Sequence, residues 1–123
     1  MILVDTSVWV DHLQRGNKDL VRWLNHGQVL SHPFVVGELA LGKLKQRDAV
    51  LEALRNLPVV TMATDAEVLG FISTHALYGV GIGYVDAHLL AAARLSAGTQ
   101  VWTFDKRLQA AATRLGLAPA LSH

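Results

Sequence analysis

The 123-residue sequence contains no cysteine, so disulfide bonds and metal sites built on thiolates are excluded. Its uninterrupted apolar stretches are only a few residues long, far below the roughly 20 that a membrane-spanning helix needs. No cationic segment followed by an apolar stretch opens the chain, so a signal peptide is not expected. We therefore predict a cytoplasmic protein, and the length predicts a single domain over residues 1–123.

A large net charge is also missing, because 11 lysines and arginines nearly balance 10 aspartates and glutamates. Hydrophobic residues make up 51% of the chain, enough to fill a core and to leave apolar surface for an oligomer or a partner protein. If four carboxylates gather in one pocket, six acidic groups remain against 11 basic ones. The outer surface would then carry about five surplus positive charges and attract a polyanion.

Short apolar runs alternate with segments of helical periodicity along the whole chain. Strands are predicted at residues 2–4, 28–30, 59–61 and 100–104, with a candidate last strand at 117–121. A first helix follows the first strand, and further helices are predicted at residues 19–26, 34–45, 48–57, 64–76, 84–97 and from 105 onward. The segment 84–97 is apolar on nearly all sides, which predicts a central helix. The alternation predicts an α/β fold with a central parallel sheet of four to five short strands flanked by helices.

Four acidic residues stand out by their positions. Asp5 and Asp105 each follow a predicted strand, and the carboxyl ends of parallel strands form the ligand crevice of open α/β sheets. Asp86 lies in the first turn of the apolar helix, where the helix dipole favours an acid. Glu38 lies on an otherwise apolar helix and needs a partner or a metal. Taken singly, each acid has an ordinary explanation, since Asp5 can simply cap the following helix.

Taken together, these carboxylates predict a metal site. Several carboxylates that face one another repel strongly unless cations neutralise them. Oxygen ligands of this kind suit Mg²⁺ or Mn²⁺, which often keep several waters and contact substrate phosphates. Such a site can activate water and stabilise the charge that develops on a phosphodiester. The predicted reaction class is therefore metal-dependent phosphodiester hydrolysis by metal-activated water.

The motifs around these acids resemble those of the PIN-domain family, and in particular its bacterial toxin branch, the VapC-type ribonucleases. The resemblance rests on Asp5-Thr6-Ser7 after a hydrophobic strand, Glu38-Leu39, Asp86-Ala87 opening an alanine-rich helix, and Thr103-Phe104-Asp105. It covers essentially the whole chain in order and length. It implies a PIN-like three-layer fold and a Mg²⁺- or Mn²⁺-dependent endoribonuclease, the toxin of a type II toxin–antitoxin system. It also implies a cognate antitoxin that blocks the site and a homodimer.

The resemblance assigns a role to each acid. It makes Asp5 and Asp86 the main metal ligands, and Asp105 a further ligand of metal or water. Glu38 would position the attacking water or the ion. All four therefore become candidate catalytic residues.

Two threonines next to these acids are candidates for supporting them. Thr103 matches the family's hydroxyl residue two positions before the last aspartate and could orient Asp105, although a β-branched strand residue is an equally good explanation. Thr6 could support Asp5 in the same way or act only as a helix cap. Our hypothesis leaves the capping of that helix to Thr6 and Ser7.

Basic and apolar side chains suggest where partners bind. The candidate RNA-phosphate contacts are Lys43, Lys45, Arg47, Lys106 and Arg107, and a solvated face is an equally good explanation for each. The helix of an antitoxin could lie on an apolar face formed by Leu20, Trp23, Leu24, Val50 and Leu54, which could equally be core or dimer surface.

Other functions fit the sequence less well or are not separated by it. The six histidines form no His-x-x-x-His pair, which argues against a zinc site. A phosphatase with Asp5 as nucleophile would usually place a second acid at the position of Ser7, and a receiver domain would place its acids differently. An RNA-processing nuclease without an antitoxin, and a degenerate PIN module that binds without catalysis, remain alternatives.

Overall fold

The computed structural model describes residues 1–120, which form three strands and seven helices. The strands are β1 (Ile2–Val4), β2 (Val29–Leu30) and β3 (Gln100–Trp102). The helices are α1 (Thr6–Arg15), α2 (Lys18–Asn25), α3 (Pro33–Leu41), α4 (Arg47–Arg55), α5 (Asp65–Thr74), α6 (Tyr84–Leu95) and α7 (Lys106–Arg114). None of the helices within residues 1–120 is long and apolar enough to cross a membrane.

The three strands form one parallel sheet in the order β2-β1-β3. The side chains of the central strand β1 are fully buried, which explains its continuous apolar sequence. Val4 of β1 pairs with Trp102 of β3, so both strands end at the same edge of the sheet. This arrangement confirms the predicted α/β class and the parallel sheet flanked by helices.

The predicted number of strands is wrong for the part of the chain described, which has three rather than four or five. The segment 59–61 forms only a single parallel bridge, between Ser31 and Val59. Its two backbone hydrogen bonds run from Ser31 N to Pro58 O and from Val60 N to Ser31 O, both at 2.9 Å. Strand β2 has only two residues, and Pro58 has no N–H to donate, so the ladder does not extend.

The candidate last strand at 117–121 is also absent as far as the chain is described, and Leu121 lies outside the described residues. Val101 N donates a hydrogen bond to Leu117 O at 2.8 Å, so this segment runs beside β3 without forming a ladder. The helix predicted at 34–45 ends earlier, at Leu41, because Gly42 leaves the helix in an extended conformation.

Helix α6 crosses the middle of the fold. Seven consecutive residues, Ala87–Ala93, are buried, which confirms the predicted central helix. Four of these seven are alanines, whose small side chains let α6 pack closely against β3 and α5. Asp86 immediately precedes the buried stretch, so the packing of α6 sets where this carboxylate lies.

Candidate active site

The carboxyl ends of β1 and β3 bring Asp5 and Thr103 together. Asp5 N donates to Trp102 O at 2.9 Å, which continues the parallel ladder by one residue beyond the strand. The Thr103 hydroxyl then donates to Asp5 Oδ2 at 2.7 Å. Asp5 is buried, with 6% of its surface exposed, while Asp105 is exposed.

The Asp5 carboxylate is held by one of its two oxygens. Besides Thr103, the Ser7 hydroxyl donates to Oδ2 at 2.8 Å, and Ser7 N approaches it at 3.4 Å. Asp5 is therefore the N-cap of α1, which corrects the expectation that Thr6 and Ser7 cap this helix. Within residues 1–120, Oδ1 receives no hydrogen bond and remains available for a ligand.

Ser7 is the site residue that the sequence analysis missed. Its hydroxyl donates to Asp5, lies 3.2 Å from the Thr103 hydroxyl, and accepts a hydrogen bond from Phe104 N at 3.0 Å. It thereby joins the start of α1 to the segment after β3. The only local signal is the hydroxyl two residues after an aspartate, a spacing typical of capping turns, and it does not reveal the contact with β3.

The two threonines occupy different places from those expected. The Thr6 hydroxyl donates to Glu38 Oε1 at 2.6 Å rather than to Asp5, because Thr6 already lies in the first turn of α1. Thr103 stands between two acids: it donates to Asp5 and accepts from the backbone N–H of Asp105 at 3.0 Å. Thr6 thus links α1 to α3, and Thr103 links the two strand ends.

Asp105 and Asp86 are also held through single oxygens. Asp105 is the N-cap of α7, and its Oδ1 accepts the backbone N–H groups of Arg107 and Leu108, each at 3.0 Å. Asp86 Oδ2 accepts Gly83 N at 3.1 Å. In the part of the chain that is described, the second oxygen of each carboxylate receives no hydrogen bond.

The pKa of Asp86 shows that the four acids share one electrostatic environment. Burial raises it above the usual value of 3.8, a hydrogen bond from Gly83 opposes the rise, and the negative charges of Asp5, Asp105 and Glu38 raise it further. The four predicted site acids, from four different elements, are therefore close enough to repel.

The donor set fits a divalent cation bound partly through water. Each of the four acids offers one carboxylate oxygen that no donor within residues 1–120 occupies. No three or more His, Asp or Glu side chains among these residues are arranged to hold an ion directly. Mg²⁺ commonly binds through one or two carboxylates and keeps several waters, so an open acidic pocket of this kind suits it.

The first group of predicted RNA contacts lies beside Glu38. Lys43 and Lys45 line a groove of about 480 Å³ whose lining also includes Glu38. Arg47 has a structural contact instead, because its guanidinium donates to Ala40 O at 2.9 Å and so braces the end of α3. The two lysines, which are exposed, are thus the members of this group that are free to bind phosphate.

The second group follows Asp105 in the first turn of α7. Lys106 and Arg107 are exposed and line a groove of about 280 Å³. Basic side chains therefore follow two of the four acids: Lys43 and Lys45 share a groove with Glu38, and Lys106 and Arg107 open the helix that Asp105 caps. The assignment of these residues to RNA binding stays a prediction.

The predicted apolar face divides between core and surface. Leu20 and Leu54 are buried in the core, whereas Trp23, Leu24 and Val50 are partly buried against it. Leu24, Val50 and Leu54 line an apolar cavity of about 210 Å³ between α1, α2 and α4. Part of this face is thus core, and part is an open apolar groove.

Comparison with known proteins agrees with this geometry. Residues 2–114 match the family model of the PIN domain. Two proteins named Ribonuclease VapC32, from Mycobacterium tuberculosis strains CDC 1551 / Oshkosh and ATCC 25618 / H37Rv, are each 48% identical to this chain over 120 residues. The alignments cover 98% of this chain and 97% of each relative. The chain therefore belongs to the PIN-domain family, in its VapC-type branch.

Proposed function

We propose that this protein is an endoribonuclease that hydrolyses RNA phosphodiester bonds, and that it is the toxin of a type II toxin–antitoxin pair. The observation that carries the proposal is the convergence of the carboxylates: the Thr103 hydroxyl joins Asp5 to the backbone of Asp105, and Glu38 accepts from Thr6, the residue after Asp5. The pKa of Asp86 agrees, because burial and then the charges of the other three acids raise it. The relatives named ribonucleases support the choice of RNA as substrate.

The proposed cofactor is Mg²⁺ or Mn²⁺. The residues that would hold it, directly or through bound water, are Asp5, Asp86 and Asp105, since each offers a carboxylate oxygen that no donor in the described chain occupies. When bound, the ion would lower the pKa of a water molecule and stabilise the charge that develops on the phosphodiester. Without it, the charges of Asp5, Asp105 and Glu38 disfavour the ionised form of Asp86.

The chain's own groups orient the reacting water. Glu38 would accept a proton from that water through Oε2, because the Thr6 hydroxyl holds Oε1. The water oxygen bonds to phosphorus, the bond from phosphorus to a ribose oxygen breaks, and that oxygen takes a proton from solvent. In ¹⁸O-labelled water the label is expected at the new terminal phosphate, and its absence there would contradict direct attack by water.

A cleavage assay tests the proposed activity. The purified protein with Mg²⁺ or Mn²⁺ should cleave single-stranded RNA, and Asp5→Asn or Asp86→Asn should reduce the rate by at least about 100-fold, because an amide neither neutralises a cation nor holds one as a carboxylate does. The matched control is Asp48→Asn, an exposed residue of α4, which should leave the rate unchanged. Undiminished cleavage in both site variants would show that the site is assigned wrongly.

The proposed antitoxin would cover the apolar surface between α1, α2 and α4. The cavity between α1, α2 and α4 is lined mainly by apolar residues and has the composition that receives an amphipathic helix. Co-expression with the product of a neighbouring open reading frame should restore growth that the protein alone inhibits. A protein that does not inhibit growth but still cleaves RNA would instead be a processing nuclease.

We also propose a homodimer, in keeping with the high hydrophobic content of the chain. Light scattering after size-exclusion chromatography should give about twice the chain mass of 13.3 kDa. A single-chain mass at micromolar concentration would contradict this assignment.

A further inference from the structure

A second groove lies along α7, beside the loop that precedes α6. It encloses about 280 Å³. Its floor is apolar and its rim is basic: the lining residues are Val80, Lys106, Arg107, Ala110, Ala111 and Arg114. No acidic side chain is among them in the described part of the chain. The groove therefore combines three positive charges with an apolar surface.

One end of this groove adjoins the acidic pocket. Arg107 N donates to Asp105 Oδ1, so Arg107 lies in the turn that fixes this carboxylate. Val80, which also lines the groove, lies three residues before Gly83, whose N–H donates to Asp86. The segments that carry two of the four acids thus also form the walls of the groove.

The Arg107 side chain is positioned by Gly81. Gly81 has a φ of +85°, and a Cβ atom at this position would lie 2.7 Å from Arg107 Cδ and 2.8 Å from Arg107 Nη1. Only a glycine lets the arginine lie against the loop in this way. Arg107 forms no ion pair with any side chain within residues 1–120, so its guanidinium is placed without being neutralised.

We propose that this groove binds the RNA strand on one side of the phosphate to be cleaved, a step that rests on the proposed ribonuclease activity. Arg107 and Lys106 bind the neighbouring phosphate, for which the planar guanidinium offers two parallel hydrogen bonds. A nucleobase contacts the apolar side chains of Val80, Ala110 and Ala111. Arg114 lies two helical turns after Arg107, about 10 Å further along α7, but its guanidinium donates to His75 O at 2.8 Å. It therefore adds positive charge to the groove without being assigned a phosphate of its own.

The charges and the position favour RNA over a peptide as the occupant. A polyanion neutralises a rim that carries three basic groups and releases counterions. A strand that enters from the acidic pocket reaches Arg107 first, because Asp105 caps the helix on which Arg107 lies. An acidic protein segment is the competing occupant.

RNA binding without cleavage tests the groove. In EDTA, the affinity for a fluorescein-labelled, mixed-sequence RNA decamer is measured by fluorescence anisotropy over a range of salt concentrations. Arg107→Ala should raise the Kd about tenfold and make the slope of log affinity against log salt shallower by about 0.7, the value for one phosphate contact on a single strand. Arg55→Ala, an exposed arginine of α4, is the matched control and should change neither.

Gly81→Ala tests the positioning itself, because it displaces Arg107 without removing it. It should weaken binding, though by less than Arg107→Ala does, because the arginine is exposed and can shift. It should add little in the Arg107→Ala background. Gly79→Ala is the matched control: Gly79 also has a positive φ, +72°, but nothing lies within 4 Å of its Cβ position. If Gly79→Ala weakened binding as much as Gly81→Ala, strain in the loop would be the cause and the positioning role would be overturned.

The failure of this inference is distinguishable from failure of the proposed function. If the wild type cleaved RNA but Arg107→Ala left the RNA affinity unchanged, the assignment of the groove to RNA binding would be wrong and the proposed activity would stand. If RNA binding depended on Arg107 but no cleavage occurred in Mg²⁺ or Mn²⁺, the assignment of the groove to RNA binding would be supported and the proposed activity would be overturned. If Arg107→Ala left the RNA affinity unchanged but abolished binding of a polyglutamate peptide, the groove would be a protein-binding site, and its assignment to RNA would be overturned.

Discussion

At the scale of single residues, the acids of the pocket are also structural groups. Asp5 and Asp105 are N-caps of α1 and α7, and Asp86 holds the backbone N–H before α6. Each uses one oxygen for the backbone or for a hydroxyl and leaves the other without a donor in the described chain. The capping and functional explanations of these aspartates are therefore compatible, because capping uses only one of the two carboxylate oxygens.

Thr103 is the residue whose hydroxyl connects two of these acids. Thr103→Val keeps the shape of the side chain but removes the hydrogen bonds to Asp5 Oδ2 and from Asp105 N. We expect cleavage to fall by about 10- to 100-fold, the usual cost of losing a group that orients a metal ligand. Steady-state kcat/KM on an RNA substrate is the measurement. Thr103→Ser retains the hydroxyl and should keep most of the activity, and equal losses in both variants would argue against this role.

The raised pKa of Asp86 predicts how the stability of the protein depends on pH. Its raised pKa means that the folded protein binds the Asp86 proton more tightly than the unfolded chain does, so stability falls as the pH rises above the usual value of 3.8. In EDTA at pH 7, Asp86→Asn should therefore raise the melting temperature, and the gain should disappear below about pH 3.8. Differential scanning fluorimetry with and without Mn²⁺ checks this. Mn²⁺ should stabilise the wild type more than the variant, and a lower melting temperature of the variant in EDTA at pH 7 would contradict the account.

At the scale of elements, α6 combines core packing with placement of Asp86. Leu89 is fully buried and Leu95, on the same helix, is 48% exposed. Leu89→Ala should lower the free energy of unfolding by about 3 kcal/mol, because it leaves a cavity in the core. Leu95→Ala should change it by no more than about 0.5 kcal/mol. Urea unfolding followed by tryptophan fluorescence measures both, and similar losses would contradict the central position of α6.

The start of α3 contains a buried titratable group. His32 is fully buried and caps α3, since its Nδ1 accepts Phe34 N at 3.0 Å. Burial, together with the smaller effect of the nearby His88, whose ring centre lies 6.3 Å away, lowers the pKa of His32 from 6.5 to about 4. His88 in turn contacts Asp65 at 3.1 Å.

The depressed pKa of His32 predicts how stability depends on pH. Between pH 6.5 and about 4 the unfolded chain binds the His32 proton and the folded protein does not, so stability is lost as the pH falls through this range. His32→Asn keeps a capping side chain without a titrating group. Its free energy of unfolding should decline less over this range than that of the wild type, as measured by urea titrations at several pH values. Parallel declines would contradict the assignment.

At the scale of the whole molecule, the small net charge conceals a separation of acidic from basic side chains. Four of the ten acidic residues share one pocket, and exposed basic side chains lie on the elements around it. Lys43→Ala combined with Lys45→Ala should therefore make the salt dependence of RNA affinity shallower by about 1.4, the value for two single-strand phosphate contacts. The control removes two exposed charges elsewhere, by Lys18→Ala with Arg55→Ala, and should leave the slope unchanged. An unchanged slope in the first variant would remove these lysines from the RNA path.

Local patterns in the sequence were enough to predict most elements and the position of two acids, Asp5 and Asp105, directly after strands. Helix α6 was predictable because its apolar residues surround the whole helix, and the common sheet edge of Asp5 and Asp105 was predictable because each follows a parallel strand. The absence of the predicted strand at 59–61 could not be foreseen, because its apolar sequence does not reveal that the neighbouring strand β2 has only two residues. The ends of helices depended on single residues such as Gly42.

The sequence by itself determined the alternation of helices and strands, the parallel sheet and the edge at which Asp5 and Asp105 stand, because these follow from periodicity and from the parallel direction of strands. Only the tertiary structure decided which hydroxyl serves which acid: Thr103 reaches Asp5 across 98 positions of the chain, and Thr6 serves Glu38. The contact of Arg107 with Gly81 is of the same kind. Side chains far apart in the chain meet through the packing of whole elements, and a local sequence pattern does not specify such contacts.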